Sequence, residues 1–231
     1  MVMAAGHGTR MHPLTDNTCK ALVEVGGKTL IDHMLDRLHE AGITRAVVNV
    51  HAFADKLEAH LQARTTGPEI IISDERAELL ETGGGVVKAL PLLGNGPVLI
   101  CNIDAVWTED TPVLKELMQF WNGQEMDELF LLAPVENTIG YHGKGDFEAG
   151  LDLHLVRRWQ DTAPYVYAGV QVFKPSLAQG FPLEKFSRNE IWDATLARSK
   201  IFGHVMGGLW MHVGDLQALA EAETILAKAK S

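Results

Sequence analysis

Several features are scarce in this chain of 231 residues, and each scarcity excludes a class of protein. Only two cysteines occur, Cys19 and Cys101, which is too few for a disulfide framework and fits a reducing cytoplasm. Basic residues are outnumbered, with 20 Lys and Arg against 30 Asp and Glu and a formal charge of −10. Because a nucleic-acid-binding protein normally carries a basic field, we expect no nucleic-acid partner. Any anionic ligand must then be met by local cations, backbone amides or a metal ion.

Long apolar runs are also missing. None approaches the roughly 20 residues that cross a bilayer, and the N-terminus lacks a charged segment followed by a long apolar one. We therefore expect a cytoplasmic protein with no signal peptide and no membrane partner. The sequence shows no internal repeat, low-complexity tract or linker, and 46% of its residues are apolar, which is enough for a core. Residues 1–231 are predicted to form a single domain.

Short apolar runs alternate with segments of helical periodicity. The predicted strands are 1–5, 46–50, 69–73, 97–101 and 128–134, with 201–211 extended. The predicted helices are 30–41, 53–64, 86–92, 112–121, 188–199 and 215–228. Continuous apolar strands separated by helices predict a mostly parallel sheet covered on both faces, in a Rossmann-like three-layer αβα fold. Segments 153–159 and 165–173, with no helix between them, predict an antiparallel strand pair inserted into this sheet.

A glycine-rich turn, Ala4-Ala-Gly-His-Gly-Thr-Arg10, follows the first predicted strand. Gly6 and Gly8 can adopt positive φ and let backbone amides approach a phosphate closely. Arg10 offers a planar fork for phosphate oxygens, and Lys20 offers a point charge. The residue three after Gly8 is methionine, so the glycine fingerprint of dinucleotide-binding proteins is excluded. The turn therefore predicts a phosphate-binding loop of another kind.

Two aspartates fall where an open α/β sheet places its ligand. Asp104 follows the strand predicted at 97–101, and the carboxyl ends of parallel strands border the ligand crevice. Asp215 follows a glycine that allows a close approach. Two carboxylates beside a phosphate-binding loop suit Mg²⁺, which takes oxygen ligands and often binds through one or two carboxylates plus phosphates. An aspartate after a strand also commonly caps a helix, so neither residue is specific by itself.

The first 25 residues resemble the sugar-phosphate nucleotidyltransferase family. The match is Ala-Ala-Gly-x-Gly-Thr-Arg-Met-x-Pro-Leu-Thr from Ala4, then Lys20-Ala-Leu-Val-Glu-Val25, with Cys19 where the family carries proline. The resemblance implies an α/β fold of the nucleotide-diphospho-sugar transferase type. It also implies a magnesium-dependent enzyme that joins an NTP to a sugar 1-phosphate and releases pyrophosphate.

The resemblance further assigns roles to individual residues. It implies catalytic roles for Arg10 and Lys20 and a Mg²⁺ cofactor held by Asp104 and Asp215, although Ile103 replaces the glycine of the family's Asn-Gly-Asp motif. The implied nucleotide-binding residues are Ala5, Gly6, Gly8, Thr9, Arg10, Lys20, Glu81, Gly83 and Gly84. The implied sugar-binding residues are Asn102, Asn137, Asp146 and Gly169. Three consecutive glycines at 83–85 are expected to form an exposed loop against the base.

Two short motifs bear on the substrate. Leu80-Glu-Thr-Gly-Gly-Gly85 and Gly145-Asp-Phe147 resemble the subgroup of the family that makes UDP-N-acetylmuramate from UTP and N-acetylmuramate 1-phosphate in cell-wall recycling. Mannose- and heptose-1-phosphate guanylyltransferases are close alternatives. A non-catalytic nucleotide-binding regulatory subunit is the alternative from another class, but a regulatory relative could lose the charged residues that this chain keeps. The expected partners are small-molecule substrates, and both a monomer and a homodimer are compatible with the sequence.

Overall fold

Strands and helices alternate along the computed structural model, which describes residues 1–229. The strands are β1 (Val2–Met3), β2 (Glu24–Val25), β3 (Lys28–Thr29), β4 (Arg45–Val50), β5 (Glu69–Asp74), β6 (Val98–Asn102), β7 (Ala105–Trp107), β8 (Glu128–Pro134), β9 (Thr138–Ile139), β10 (Phe147–Ala149), β11 (Leu155–Arg157), β12 (Tyr165–Phe173), β13 (Ile201–Val205) and β14 (Trp210–His212). The α-helices are α1 (Leu30–Glu40), α2 (Ala54–Gln62), α3 (Glu81–Leu93), α4 (Val113–Phe120), α5 (Asn189–Leu196) and α6 (Leu216–Ala229). Within this described part, no helix is both long and apolar enough to span a membrane.

The central layer has the strand order β5-β4-β1-β6-β12-β8-β13. Every strand in it is parallel to the others except β12, which runs antiparallel to both of its neighbours, β6 and β8. The β10-β11 hairpin extends the sheet beside the first half of β12, where Phe147 pairs with Tyr165. The predicted mostly parallel, mixed sheet of an α/β fold is therefore confirmed.

Helices cover both faces of this sheet because successive strand side chains point to opposite sides. On one face, Val48 and Cys101 belong to the core cluster that includes apolar residues of α1, α2 and α4. On the other face, Val47 and Ile100 belong to the cluster that includes residues of α3 and α5. Strands covered on both faces have apolar residues at successive positions, which explains the continuous apolar runs in the sequence.

Two of the predicted extended segments differ from the structure. Segments 153–159 and 165–173 do not pair directly, because β10 lies between β11 and β12. The segment 201–211 splits into β13, which joins the central sheet, and β14, which belongs to a separate sheet of order β7-β14-β9. A strand of three residues is too short to show an alternation, so the sequence pattern could not reveal β10 or the break before β14.

A group of polar side chains is buried between β8, β12 and α5. Gln171 donates from Nε2 to Glu128 Oε2, and its Oε1 accepts from the Tyr167 hydroxyl at 3.0 Å and from Trp192 Nε1 at 3.2 Å. Arg188, which is 3% exposed, donates from Nη2 to the Tyr167 hydroxyl at 3.2 Å. Glu128 is fully buried, and burial raises the pKa of its carboxyl to about 7. The core thus contains an acid that titrates near neutral pH.

Glu128→Gln should change how stability depends on pH. The unfolded chain ionises Glu128 near pH 4.5, whereas the folded chain holds its proton up to about pH 7. The folded state therefore loses stability as the pH rises through this window, by roughly 3 kcal/mol when ionisation is complete. Glutamine keeps an acceptor for Gln171 but carries no charge, so the variant should gain stability relative to the wild type between pH 5 and pH 8. Urea denaturation at both pH values measures the difference.

The exposed Glu125→Gln substitution nearby is the matched control, and it should leave the pH dependence unchanged. An equal effect of Glu128→Gln at pH 5 and pH 8 would contradict a protonated Glu128 in the folded protein.

Candidate active site

A cavity of about 520 Å³ opens at the carboxyl ends of β1 and β6, where a parallel sheet is expected to bind its ligand. Most of the residues predicted to contact a nucleotide or metal lie in its wall. Its lining includes Ala5, Gly6, Gly8, Thr9, Arg10, Lys20, Asn49, Leu79, Glu81, Thr82, Asn102, Asp104, Ser187 and Gly214. The structure therefore brings together segments that are far apart in the chain.

The glycine-rich turn after β1 takes its shape from Gly8. This residue has a φ of 67° and begins a single 3-10 turn, Thr9–Met11. A Cβ at Gly8 would lie 2.7 Å from Cβ of Lys20, so only glycine lets the lysine pass this closely. Thr15 donates from Oγ1 to the Gly8 carbonyl at 3.0 Å, which holds the turn in place. The turn thus packs directly on the lysine that was predicted to work with it.

Lys20 and Asp104 form an ion pair in the cavity wall. Nζ of Lys20 lies 2.7 Å from Oδ2 of Asp104, and Nε2 of His212 lies 3.4 Å from the same oxygen. Burial alone would raise the pKa of Asp104, but the hydrogen bond from His212 and the charge of Lys20 outweigh burial and lower that pKa. Asp104 is therefore ionised at neutral pH. Its other oxygen, Oδ1, receives no hydrogen bond from residues 1–229.

The small sheet β7-β14-β9 brings the second predicted carboxylate toward this pair. His212 of β14 pairs with Ala105 of β7, directly after Asp104. The amide of Val213 then donates to the Asp104 carbonyl at 2.9 Å. Asp215 follows two residues later. Pairing between strands from distant parts of the chain therefore places Asp215 on the segment that adjoins Asp104.

Asp215 also caps α6. Its Oδ1 accepts from the Ala218 amide at 2.9 Å, so the capping role that the sequence left open is present in the structure. That hydrogen bond lowers the pKa of Asp215, and the charge of Arg10 lowers it further. Over the described residues, no group of three or more His, Cys, Asp or Glu could hold a metal ion. Two carboxylates nevertheless match the sparse protein donor set that Mg²⁺ uses when phosphates supply its other ligands.

The glycine run at 83–85 differs from the prediction. Helix α3 begins at Glu81, five residues before the predicted start, so the glycines lie in its first turns rather than in an exposed loop. The amides of Gly83 and Gly84 donate to the Phe186 carbonyl at 2.9 and 3.4 Å. A Cβ at Gly83 would lie 2.4 Å from the Phe186 ring, and one at Gly84 would lie 2.0 Å from the Glu184 carbonyl oxygen. The prediction that Gly83 and Gly84 expose backbone groups to a base is therefore wrong.

These glycines instead let α3 pack closely against segment 184–188. The same segment is bonded to the start of the helix at two further points, because Phe186 N donates to the Leu80 carbonyl at 3.3 Å and Arg188 N donates to Thr82 Oγ1 at 2.9 Å. Glu81 and Thr82, rather than the glycines, line the cavity.

A buried hydrogen-bond relay joins the glycine-rich turn to α3. Oδ1 of Asn49 accepts from the Ala4 amide at 2.7 Å, and its Nδ2 donates to Oε1 of Glu75 at 2.8 Å. Oε2 of Glu75 accepts from the Leu80 amide at 3.3 Å. Sequence analysis missed Asn49 and Glu75. A signal existed, because each is a polar residue at the end of an apolar parallel strand or just after it, where a ligand crevice forms.

Asn102 and Gly169, two of the predicted sugar-binding residues, are neighbours in the structure. Gly169 has a φ of 84°, and a Cβ there would lie 3.4 Å from Cβ of Asn102. Oδ1 of Asn102 is buried without a hydrogen-bond partner among the described residues. Because a buried polar atom is costly to leave unpaired, this oxygen is a candidate ligand contact.

The other two predicted sugar-binding residues are placed differently. Asp146 was predicted to accept hydrogen bonds from sugar hydroxyls, but its Oδ2 accepts from the Tyr167 amide at 3.0 Å and its Oδ1 from the Tyr141 hydroxyl at 3.2 Å. The carboxylate therefore ties β12 to the loop before β10. Asn137 ends a 3-10 turn, is exposed, and lies outside the lining of the 520 Å³ cavity.

Comparison with known proteins places the chain in a family. Residues 1–137 match the family described as MobA-like NTP transferase domain. The chain is 47% identical to N-acetylmuramate alpha-1-phosphate uridylyltransferase of Caulobacter vibrioides, over 99% of this chain and 97% of that protein. It is 32% identical to the protein of the same name from Neisseria meningitidis serogroup B, over 97% of this chain and 96% of that one.

A solved structure of apo UDP-glucose pyrophosphorylase has the same fold. It superposes with a TM-score of 0.81 at 16% identity and covers 100% of this chain and 98% of the other. The chain belongs to the MobA-like NTP transferase domain family, and the resemblance drawn from its first 25 residues is confirmed.

Gly84→Ala should destabilise the fold. The added methyl would meet the Glu184 carbonyl oxygen, a backbone atom that cannot move without shifting segment 184–188. We expect the free energy of unfolding to fall by about 1–3 kcal/mol, the usual cost of overpacking a tight contact. Gly96→Ala is the matched control, because a Cβ there meets nothing within 4 Å. Urea denaturation of both variants measures the change, and equal stabilities would show that the close contact at Gly84 is not needed.

Proposed function

We propose that the protein transfers a uridylyl group from UTP to N-acetylmuramate 1-phosphate, giving UDP-N-acetylmuramate and pyrophosphate. The observation that carries the transferase assignment is the ion pair between Lys20 and Asp104, whose Nζ and Oδ2 atoms are 2.7 Å apart. The pair lies beside a glycine-rich turn at the carboxyl ends of parallel strands. The choice of substrates is supported by the 47% identity to the uridylyltransferase of Caulobacter vibrioides over nearly the whole chain.

The chemistry requires positioning and charge rather than a general base. A sugar 1-phosphate is already an anion at neutral pH, since its second pKa is about 6. One of its oxygens attacks the α-phosphorus of the NTP, the bond from that phosphorus to the bridging oxygen breaks, and pyrophosphate leaves with the electron pair. Repulsion between the two phosphate groups is the main obstacle. Arg10 and Lys20 line the cavity and would offset it, which is the usual form of catalysis in phosphoryl transfer.

A Mg²⁺ ion completes the proposal. Asp104 and Asp215 would hold it, because both are carboxylates on adjoining segments and Oδ1 of Asp104 has no hydrogen bond from the described chain. When bound, such an ion neutralises charge on the triphosphate. Lys20 has a distinct part in this arrangement, since it orients Asp104 through Oδ2 and adds a second positive charge.

The base would lie against the wall formed by Leu79, Glu81, Thr82 and Ser187. Backbone hydrogen bonds hold this wall together, because Phe186 donates to the Leu80 carbonyl and accepts from the amides of Gly83 and Gly84. Glu81 has a φ of 58°, a left-handed conformation that is uncommon outside glycine and often marks a functional site. A fixed wall favours the smaller pyrimidine, because a purine needs more room at the same place.

Asp104→Asn should abolish most turnover while the protein stays folded. The amide removes one anionic metal ligand and the partner of Lys20, so we expect kcat/KM to fall by about 10²-fold or more. Asp110→Asn, at an exposed loop position, is the matched control and should retain activity. Pyrophosphate release at limiting Mg²⁺ gives the rates, and thermal denaturation checks the fold. Wild-type turnover by Asp104→Asn would contradict the assignment of this carboxylate.

The substrate assignment is tested by a panel of pairs. UTP and GTP should each be combined with N-acetylmuramate, mannose and heptose 1-phosphates, and kcat/KM measured from pyrophosphate release. We expect UTP with N-acetylmuramate 1-phosphate to be the best pair, with discrimination of up to about 10⁴-fold where a mismatched ligand leaves buried polar groups unpaired. A preference for GTP would contradict the assignment of uracil as the base, but it would still support nucleotidyl transfer. Absence of turnover with every pair would favour the non-catalytic regulatory subunit.

A further inference from the structure

A second cavity of about 410 Å³ lies between the β10-β11 hairpin and α5. The proposed function gives it no role. Its lining includes Asp146, Arg157, Arg158, Tyr167, Asn189 and Trp192. Two arginines and one aspartate therefore line a volume that has no assigned ligand.

This second cavity adjoins the proposed active site. Ser187 lines the first cavity and Asn189 the second, and Asn189 Nδ2 donates to Ser187 Oγ at 3.1 Å. Strand β12 also runs between the two cavities, because Tyr167 lines the second and a Cβ at Gly169 would lie 3.4 Å from Cβ of Asn102, which lines the first. Two residues along a strand span only about 7 Å. A sugar whose phosphate lies in the first cavity can thus direct a ring substituent into the second.

Most polar groups in the second cavity are already engaged within the protein. Arg157 is neutralised by Asp193, with Nη2 and Oδ1 2.7 Å apart, and also donates from Nη2 to Asn189 Oδ1 at 3.1 Å. Both carboxylate oxygens of Asp146 accept hydrogen bonds from the chain. Trp192 donates from Nε1 to the buried Gln171. These groups shape the cavity but offer little free hydrogen-bonding capacity to a ligand.

Arg158 is the exception. Its Nε donates to the Gly145 carbonyl at 3.1 Å, and its Nη1 donates to the carbonyls of Gln160 and Asp161 at 3.3 and 3.4 Å. These neutral carbonyls orient the guanidinium without cancelling its charge. In the part of the chain that the structure describes, no carboxylate lies within ion-pair distance of Arg158, and its Nη2 has no partner. The result is an oriented cation with an open edge, the geometry that binds a carboxylate well.

We propose that the second cavity receives the carboxylate of the substrate's lactyl ether and that Arg158 binds it. The inference rests on the proposed function, because N-acetylmuramate 1-phosphate differs from N-acetylglucosamine 1-phosphate by that lactyl ether alone. Arg158 then determines specificity for an acidic sugar over neutral ones. A charge-assisted hydrogen bond of this kind is expected to change the preference between charged and neutral substrates by about 10- to 100-fold.

Arg158→Met is tested with two forms of the substrate, N-acetylmuramate 1-phosphate and its lactyl primary amide, which keeps the shape of the lactyl carboxylate but removes the negative charge from that group. The wild type should prefer the acid over the amide by about 10- to 100-fold in kcat/KM. Arg158→Met should reduce that preference to about 3-fold or less by raising KM for the acid, with kcat nearly unchanged. Arg158→Lys, which keeps the charge but loses the planar fork, should retain part of the preference. Arg157→Met, which removes the neutralised arginine from the same cavity, should retain all of it.

Three results would overturn the inference. The first is an equal loss of kcat/KM for both substrate forms in Arg158→Met, which would assign Arg158 to the phosphate or to the fold. The second is an unchanged preference in Arg158→Met, which would place the carboxylate elsewhere. The third is a wild type that does not distinguish the acid from the amide. Failure of the proposed function is recognised separately, in the wild type alone, by a lack of turnover of N-acetylmuramate 1-phosphate with UTP.

Discussion

The cavity depends on one buried relay of hydrogen bonds, which runs from Ala4 through Asn49 and Glu75 to Leu80. The glycine-rich turn and the start of α3 come from different βα units, and the relay is what fixes one relative to the other. Glu75 is fully buried, and a buried carboxylate is tolerated only when its oxygens find donors. Since both oxygens of Glu75 accept hydrogen bonds, from Asn49 and from the Leu80 amide, the two walls cannot separate without leaving this buried group unpaired.

The layered fold could be predicted from local patterns in the sequence. The errors in that prediction have physical causes. The strand predicted at 128–134 matches β8 because it is a continuous apolar run, and the helix predicted at 30–41 nearly matches α1 because its apolar residues recur at helical spacing. The start of α3 was missed because three glycines disfavour a helix by intrinsic propensity. Close packing of Gly83 and Gly84 on segment 184–188 overrides that propensity, and the segment is a hundred residues further along the chain.

In the candidate site, too, residues that are close in the sequence could be predicted, whereas contacts between distant segments could not. Gly8, Arg10 and Lys20 could be predicted because one continuous stretch contains them and their chemistry suits phosphate. Asp146 could not be judged, since its two hydrogen-bond partners come from Tyr141 and Tyr167, and only folding reveals that its oxygens are occupied. Arg158 illustrates the converse case, in which the absence of a carboxylate partner among residues 1–229, rather than any motif, distinguishes it from the adjacent arginine. Sequence identifies charged groups, whereas the fold determines which charges remain unbalanced.

The three-stranded sheet β7-β14-β9 has a consequence for biosynthesis. Contacts across it join residues that are 101 positions apart, as between Leu209 and Thr108. A ribosome delivers the glycine-rich turn and Asp104 well before β14, which is the last strand of the described residues to emerge. The nascent chain can therefore assemble its first βα units while Asp104 still lacks Val213, His212 and Asp215 as neighbours. Chains released before β14 is complete contain the glycine-rich turn but not Asp215, so shortening the chain at its end removes the second candidate carboxylate and leaves the turn in the sequence.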